Sequence, residues 1–288
     1  MRNRPSLAAA LTLGIVIGAA GAVFSGLHAL WVEPLGYADA RRVCLLRAWD
    51  EARNRETFNL PLAAFVALAP EAPSFERLAA YRYWSAGLAG KAPERVSAYR
   101  VTADTFPLLG VPPLLGRTLE AQDARPGATK VAVLSHGLWQ RRFAGAPDVL
   151  GREIRLDGEP HTIVGVMPRR FEFPLDNFRG ELWTPLAVDA AAALSDPGSA
   201  GSVVAIGRLR AGRSTQAAEA EARAAFRRHA AEDPATFRSL GVRVIPLSEL
   251  SAVETRLPLG ALLAALTPPV RPAPGSESRG GTRVAVTR

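Results

Sequence analysis

The residues that could carry out chemistry in this sequence are few: one cysteine, Cys44, and four histidines among 288 residues. Ser135 and His136 are neighbours, but adjacency in sequence does not place a general base within hydrogen-bonding reach of a nucleophile. The G-x-S-x-G pattern that carries the nucleophile of α/β-hydrolases does not occur. We therefore interpret His136 and His161 as surface or strand residues and predict no catalytic residue and no enzyme. A hydrolase remains an alternative that we favour less than a binding module.

Nucleotide and metal sites have equally weak signals. The nearest approach to a P-loop runs from Gly87 to Lys91 and is followed by Ala92, which lacks the hydroxyl that binds magnesium. One cysteine and the absence of H-x-x-x-H and H-E-x-x-H spacings argue against a metal site. The single cysteine also rules out an internal disulfide. We predict neither a metal nor a cofactor.

The net charge of +8 raises the question of an anionic partner, because basic proteins often bind nucleic acid or anionic lipid. Arginine supplies nearly all of this charge, since Lys91 and Lys130 are the only lysines. No contiguous basic block with interleaved aromatic residues is present. We interpret the bias as an arginine-rich surface typical of a GC-rich genome and predict no nucleic-acid partner.

The strongest signal is an uncharged segment at residues 5–32, which contains no Asp, Glu, Lys or Arg. It exceeds the roughly 20 apolar residues that a helix needs to cross a bilayer. Arg2 and Arg4 precede it, and the next positive charge is Arg41. The positive-inside rule then keeps the N-terminus in the cytoplasm. We predict a transmembrane anchor at residues 1–33, and a single-pass protein of the inner membrane whose main domain is periplasmic.

A cleaved secretory signal is the competing interpretation, because Ala20-Gly21-Ala22 matches an A-x-A-like cleavage site. Both interpretations export the rest of the chain. Small residues also recur every four positions and form a ridge along one helix face. Such a ridge would let other membrane helices approach closely, but the same spacing arises by chance in an Ala- and Gly-rich segment. They are Ala10, Gly14, Gly18, Ala22 and Gly26.

The exported body, residues 34–255, interleaves strands and helices irregularly, which predicts an α+β fold with a mixed sheet and two subdomains. Predicted strands cover residues 43–48, 81–88, 94–101, 130–134, 152–156, 160–167, 182–186, 201–210 and 241–247. Predicted helices cover residues 60–68, 75–80, 105–109, 136–143 and 215–231. Ser135 and Ser214 are predicted N-caps, and Asp157-Gly158 predicts a tight hairpin turn.

The C-terminal region, residues 256–288, has a different composition. Residues 257–266 are apolar but cover only about half the length that crosses a bilayer. From residue 267 onwards Pro, Gly, Ser and Arg dominate, which predicts a disordered tail.

Motifs spread through the body resemble the MacB-like periplasmic core domain of FtsX-type ABC transporter permeases, most closely the duplicated orphan permeases common in Acidobacteria. They are T-A-D-T-F-P-L-L-G-V at 102–111, V-A-V-L-S at 131–135, L-W-Q-R-R-F at 138–143, L-D-G at 156–158, T-I-V-G-V-M-P at 162–168, E-L-W-T-P-L at 181–186 and R-L-R-A-G at 208–212. The resemblance covers roughly residues 7–255.

The resemblance implies a role in transport. Such permeases have four transmembrane helices per unit, with the periplasmic domain between the first two. A separate or fused cytoplasmic ATPase hydrolyses ATP, and the periplasmic domain transmits the resulting motion. Other permease subunits or helices, the ATPase and a second copy of the chain are therefore the expected partners.

The second helix of such permeases would follow residue 255, where this sequence has only ten apolar residues before the polar tail. The comparison predicts a truncated chain that does not support transport by itself. A membrane-anchored or secreted binding module is the alternative function.

Overall fold

A computed structural model describes residues 37–90, 93–174, 179–247 and 249. The predicted anchor at residues 1–33, the apolar segment at 257–266 and the predicted disordered tail lie outside the described residues. Within the described ranges, no helix has the length and apolar character needed to cross a membrane.

The described residues form twelve strands and six α-helices. The strands are β1 (Val43–Asp50), β2 (Arg55–Thr57), β3 (Leu60–Pro61), β4 (Phe75–Leu88), β5 (Glu94–Val101), β6 (Leu115–Gly116), β7 (Val131–Leu134), β8 (Glu153–Leu156), β9 (Glu159–Val166), β10 (Leu182–Pro185), β11 (Ser202–Leu209) and β12 (Leu240–Pro246). The helices are α1 (Leu62–Leu68), α2 (Thr105–Leu109), α3 (His136–Phe143), α4 (Ala190–Ser195), α5 (Thr215–His229) and α6 (Pro234–Phe237).

All the strands join one mixed sheet, in the order β12-β1-β11-β4-β5-β10-β7-β9-β6. Strand β2 pairs with β1, β3 pairs with β11, and β8 pairs with β4 and β9. Two contacts, β5 with β10 and β7 with β9, are parallel, whereas the others are antiparallel. The α+β class and the mixed sheet are thereby confirmed.

Local sequence signals account for several element ends. The Ser135 side chain accepts a hydrogen bond from the Leu138 N–H at 3.1 Å, which caps α3 as predicted. Ser214 caps α5 in the same way through the Ala217 N–H. Asp157 and Gly158 both adopt positive φ, 48° and 86°, as a two-residue hairpin turn between β8 and β9 requires.

The prediction of a helix at residues 75–80 is wrong, because these residues form the first half of β4. Phe75, Leu78 and Ala79 have helix-like spacing, but Ala79 and Ala80 are both fully buried. Adjacent residues of a strand point to opposite faces, so both faces are covered there, and the strand pairs edge to edge with β11. Tertiary pairing therefore overrides the local pattern. The predicted helix at 60–68 is present but begins at Leu62, after the short strand β3.

Two core clusters lie on one face of the sheet. The first contains Leu46, Ala80, Ala205 and residues of α1 and α5, and the second contains Ala86, Ala98, Leu182 and residues of α3. Even-numbered residues of β4 share this face, because side chains alternate along a strand. Residues 82 and 84 therefore fall between the two clusters.

Large aromatic side chains of the body lie in two separate places. Trp139 belongs to the second core cluster, with Phe143 packed against it. Phe171, Phe173 and Trp183 form a separate group of edge-on and tilted rings with further buried aromatic residues. Those additional rings are Tyr37, Tyr81, Tyr99 and Phe106.

Candidate functional site

A groove of about 470 Å³ lies between the two core clusters, and we call it the junction groove. Strands β4, β5, β9 and β10 and the segment 123–130 line it. Its charged and titratable residues are Arg82, Arg100, Arg125, Lys130, His161, Asp123, Asp157 and Glu159. Trp84, Leu156, Thr184, Pro185 and Leu186 supply much of the remaining surface. Ligand sites often occupy such junctions between packed units.

Strand pairing brings two arginines together on the floor of this groove. Arg82 of β4 lies directly opposite Arg100 of β5, and Thr184 of β10 is the register partner of Arg100 on its other side. The Arg100 guanidinium carbon lies 4.8 Å from the ring centroid of Trp84, a cation–π contact. The three positions form a polar row that crosses three adjacent strands.

The carboxylates of the groove already have partners. Asp123 accepts hydrogen bonds from the Arg117 guanidinium at 2.7 and 2.9 Å. Glu159 forms an ion pair with Lys130 at 2.5 Å, and Asp157 accepts from the Gly87 N–H at 2.8 Å. Asp123 and Glu159 are thus paired with cations, whereas Asp157 keeps its charge, and the basic side chains of the groove still outnumber its carboxylates.

The arginines of the groove differ in how many hydrogen-bond partners their guanidinium groups have. Arg82 donates to the carbonyl oxygens of Ser202 and Ala200, at 3.0 and 3.3 Å. Among the described residues, by contrast, the Arg100 guanidinium finds no hydrogen-bond acceptor, and the Arg125 side chain has neither a hydrogen bond nor an ion pair. Within the described ranges, the groove therefore presents two guanidinium groups whose N–H groups have no hydrogen-bond acceptor.

His161 is 7 % exposed, and its Nδ1 lies 3.0 Å from the Glu159 carbonyl oxygen. Burial is the largest cause that lowers the pKa of His161, and the positive charges of Lys130 and Arg100 lower it further. The contacts with Glu159 act in the opposite direction without reversing the shift. The imidazole thus experiences the positive field of the groove.

The structure does not bring the sequence-identified nucleophile and base candidates together. Ser135 serves as the α3 cap, and the His136 ring packs edge-on against Trp139 with centroids 5.4 Å apart. Within the described part of the chain, no hydrogen bond connects Ser135 or His136 with His161. His161 is a strand residue, as we expected, but it is buried at the groove.

The remaining candidates for chemistry that the structure describes are Cys44 and Gly87. Cys44 is fully buried, and burial, with a smaller effect of Glu249, raises the pKa of its thiol to about 12. Gly87 lies within β4, while Lys91 is outside the described residues. No group of three or more His, Cys, Asp or Glu side chains in the described ranges could hold a metal ion.

The sequence search for a contiguous basic block missed the junction groove. The available signal was the alternation of Arg100 with Val96 and Ala98 along β5, which places a charge in line with a buried face. Pairing β4 and β5 as a hairpin would also have placed Arg82 opposite Arg100.

A family model for the MacB-like periplasmic core domain matches residues 6–225. The chain belongs to this family. The resemblance drawn from the sequence motifs is therefore confirmed, and the family match supports a periplasmic domain of an ABC transporter permease. Sequence comparison finds no significant match among curated proteins.

Solved structures share the fold. A domain assigned to a permease from Porphyromonas gingivalis is similar with a TM-score of 0.56 and 18 % identity, over 73 % of this chain and 93 % of that one. The periplasmic region of MacB from Actinobacillus actinomycetemcomitans is similar with a TM-score of 0.50 and 14 % identity, over 83 % of this chain and 99 % of that one.

Proposed function

We propose that this chain is the extracytoplasmic, non-catalytic part of an ABC transporter permease and that it transmits motion between the membrane and a periplasmic partner or substrate. In this proposal residues 1–33 are the transmembrane anchor, with the N-terminus cytoplasmic, residues 34–255 form a body of two subdomains, and residues 256–288 follow the body. A separate cytoplasmic ATPase drives the motion, and other permease subunits or a second copy complete the transporter.

The observation that carries the proposal is the pairing of the first and last strands of the described body. Strand β1 begins where strand β12 ends, and Cys44 lies opposite Pro246. The antiparallel register then continues to Asp50 opposite Leu240. The chain therefore enters and leaves the body side by side. The segments that precede β1 and follow β12 can then be displaced together.

The sheet provides a stiff route from this strand pair to the rest of the body. Strand β1 also pairs with β11, and the sheet continues from there through β4 and β5 to the second core cluster. Helix α5 is tied to β12 because Glu219 accepts a hydrogen bond from the Val244 N–H at 2.9 Å. Packed interiors deform little, so a displacement of β1 and β12 should move the whole body.

Fluorescence energy transfer, combined with flexible insertions, tests this transmission. A fluorophore on Ala52→Cys, in the exposed turn beyond the far end of β1, would report displacement relative to the bilayer. Cys44 should remain unlabelled because its buried thiol has a pKa raised to about 12. When the chain is reconstituted together with its permease partners and the ATPase, we expect ATP binding to change energy transfer between this fluorophore and labelled lipid.

Twelve-residue Gly-Ser insertions before Tyr37 and after Leu247 should abolish that response, because flexible linkers do not transmit displacement. The same insertion after the exposed Gly212 should preserve it. A response that survives both flanking insertions, or that is absent from the unmodified protein, would contradict the transmission role.

A further inference from the structure

We propose that the junction groove binds a small organic anion, a carboxylate or phosphate monoester attached to an apolar group. This inference goes beyond the transmission role and does not depend on it. It rests on the charge, stacking and shape of the groove.

The groove is lined by more basic side chains than carboxylates, and Arg117, which lies outside the groove lining, pairs with one of those carboxylates, Asp123. Arg82 and Arg100 are direct cross-strand neighbours, an arrangement in which like charges repel. The Arg82 guanidinium donates hydrogen bonds to two backbone carbonyl oxygens, which partly stabilise its charge. The Arg100 guanidinium, by contrast, finds no hydrogen-bond acceptor among the described residues. A bound anion would relieve this repulsion, and its oxygen atoms would accept hydrogen bonds from the N–H groups of Arg100.

Stacking makes Arg100 a well-placed anion receptor. Its guanidinium face is occupied by Trp84, at 4.8 Å from the ring centroid. The guanidinium edge carries the N–H groups, and their planar fork matches carboxylate and phosphate oxygens. A side chain held by stacking loses less conformational entropy when it binds a ligand.

The rest of the groove suits an apolar group of modest size. Leu156 and Leu186 are buried side chains that belong to the second and first core clusters, and both reach the groove. Pro185 and the Trp84 ring extend this apolar surface. A volume of about 470 Å³ lies within the range of roughly 300–1,000 Å³ that is typical of small-molecule sites.

His161 offers a readout of the anion inside the groove. Arg100, Lys130 and Glu159 act on its pKa directly. The remaining charged groups of the groove are Arg82, Arg125, Asp123 and Asp157. An anion beside Arg100 would offset the positive field, so it should raise the pKa of His161.

Calorimetric titration of the full chain in a non-ionic detergent tests the proposal. The probes are phenyl phosphate and benzoate, with inorganic phosphate as an anion that lacks the apolar group. We expect both organic anions to bind and phenyl phosphate to bind more tightly than inorganic phosphate. Arg100→Gln should weaken phenyl phosphate binding by about tenfold or more, the loss expected for one charge-assisted contact.

Arg95→Gln is the matched control, because it removes the same charge from the opposite face of β5. It should leave binding unchanged. Arg100→Lys keeps the charge but loses the planar fork, so its affinity should fall between those of the wild type and Arg100→Gln. This variant keeps the test decisive should Arg100→Gln fold poorly.

NMR titration of the chain with labelled histidine supplies the independent readout. Saturating phenyl phosphate should raise the pKa of His161 in the wild type and in Arg95→Gln. No binding at millimolar concentration, equal binding to Arg100→Gln, equal affinity for inorganic phosphate, or an unchanged His161 pKa would each overturn the proposal.

Discussion

Replacing Arg208 with methionine should destabilise the body by about 3 kcal/mol. Arg208 lies on β11 and is only 5 % exposed. Its guanidinium donates to the carbonyl oxygens of Leu108 and Ala38, at 2.7 and 2.6 Å, and makes a longer contact of 3.5 Å with that of Asp39. One side chain thus ties the start of the body and the end of α2 to the sheet.

The magnitude follows from these contacts. A hydrogen bond from a charged donor contributes about 1.5–3 kcal/mol, and two of the three have good geometry. Burial and the nearby positive charge of Arg42 lower the pKa of Arg208, which shows that the buried cation itself has a desolvation cost. Subtracting part of that cost leaves about 3 kcal/mol, because methionine retains much of the packing volume.

Urea unfolding followed by tryptophan fluorescence, with the full chain in non-ionic detergent, measures this loss. The corresponding fall in melting temperature is about 6–12 °C for a domain of this size. Arg210→Met is the matched control, since exposed Arg210 donates one hydrogen bond to the Pro73 carbonyl oxygen. It should cost less than about 1 kcal/mol. Equal losses for the two variants would refute the anchoring role of Arg208.

Three further substitutions test packing and ionisation by the same unfolding assay. Gly165→Ala should cost about 3 kcal/mol, because the added methyl would lie 2.0 Å from the Arg117 carbonyl oxygen; an unchanged stability would contradict the close approach of β9 to that backbone. Gly137→Ala, at an exposed position of α3 where the added methyl meets no clash, should stabilise by about 0.5–1 kcal/mol, and a loss would mean that the helix position is misassigned. Burial would raise the pKa of Asp123, but hydrogen bonds from Arg117 and the Glu120 N–H hold it below its usual value. The stability that ionised Asp123 contributes to the folded state is therefore present above the unfolded-state pKa of about 3.9. It is lost as the pH falls through the folded-state pKa. Asp123→Asn should therefore lose less stability than the wild type as the pH falls. Identical dependence of the unfolding free energy on pH in the two proteins would exclude this role of Asp123.

The predictions that the structure confirms rest on chemistry within a few residues. The caps Ser135 and Ser214 satisfy N–H groups three residues ahead, so no distant contact is needed to place them. The Asp157-Gly158 turn likewise follows from residues that accept positive φ. Strand β5 was predicted with its observed bounds because its alternation marks one buried face.

The features that sequence missed depend on partners far away along the chain. The first half of β4 is a strand because β11, more than 120 residues later, pairs with it. The two-residue strands β3 and β6 exist only through their partners β11 and β9. The junction groove needs Arg82, Arg100 and Thr184 in register, which requires both a hairpin and a parallel crossover. The alternation along β5 marks the face on which Arg100 lies, but it contains no information about the parallel pairing that places Thr184 beside it.

The claim on which the proposed function depends is that residues 37–247 lie outside the cytoplasm, and thiol labelling tests it most directly. Ala52→Cys provides an exposed thiol, while the native Cys44 is buried and, because its pKa is raised to about 12, stays protonated at neutral pH. A membrane-impermeant maleimide added to intact spheroplasts should label Ala52→Cys and leave the wild type unlabelled. Labelling of Ala52→Cys only after the membrane is broken would place the body in the cytoplasm and contradict the account.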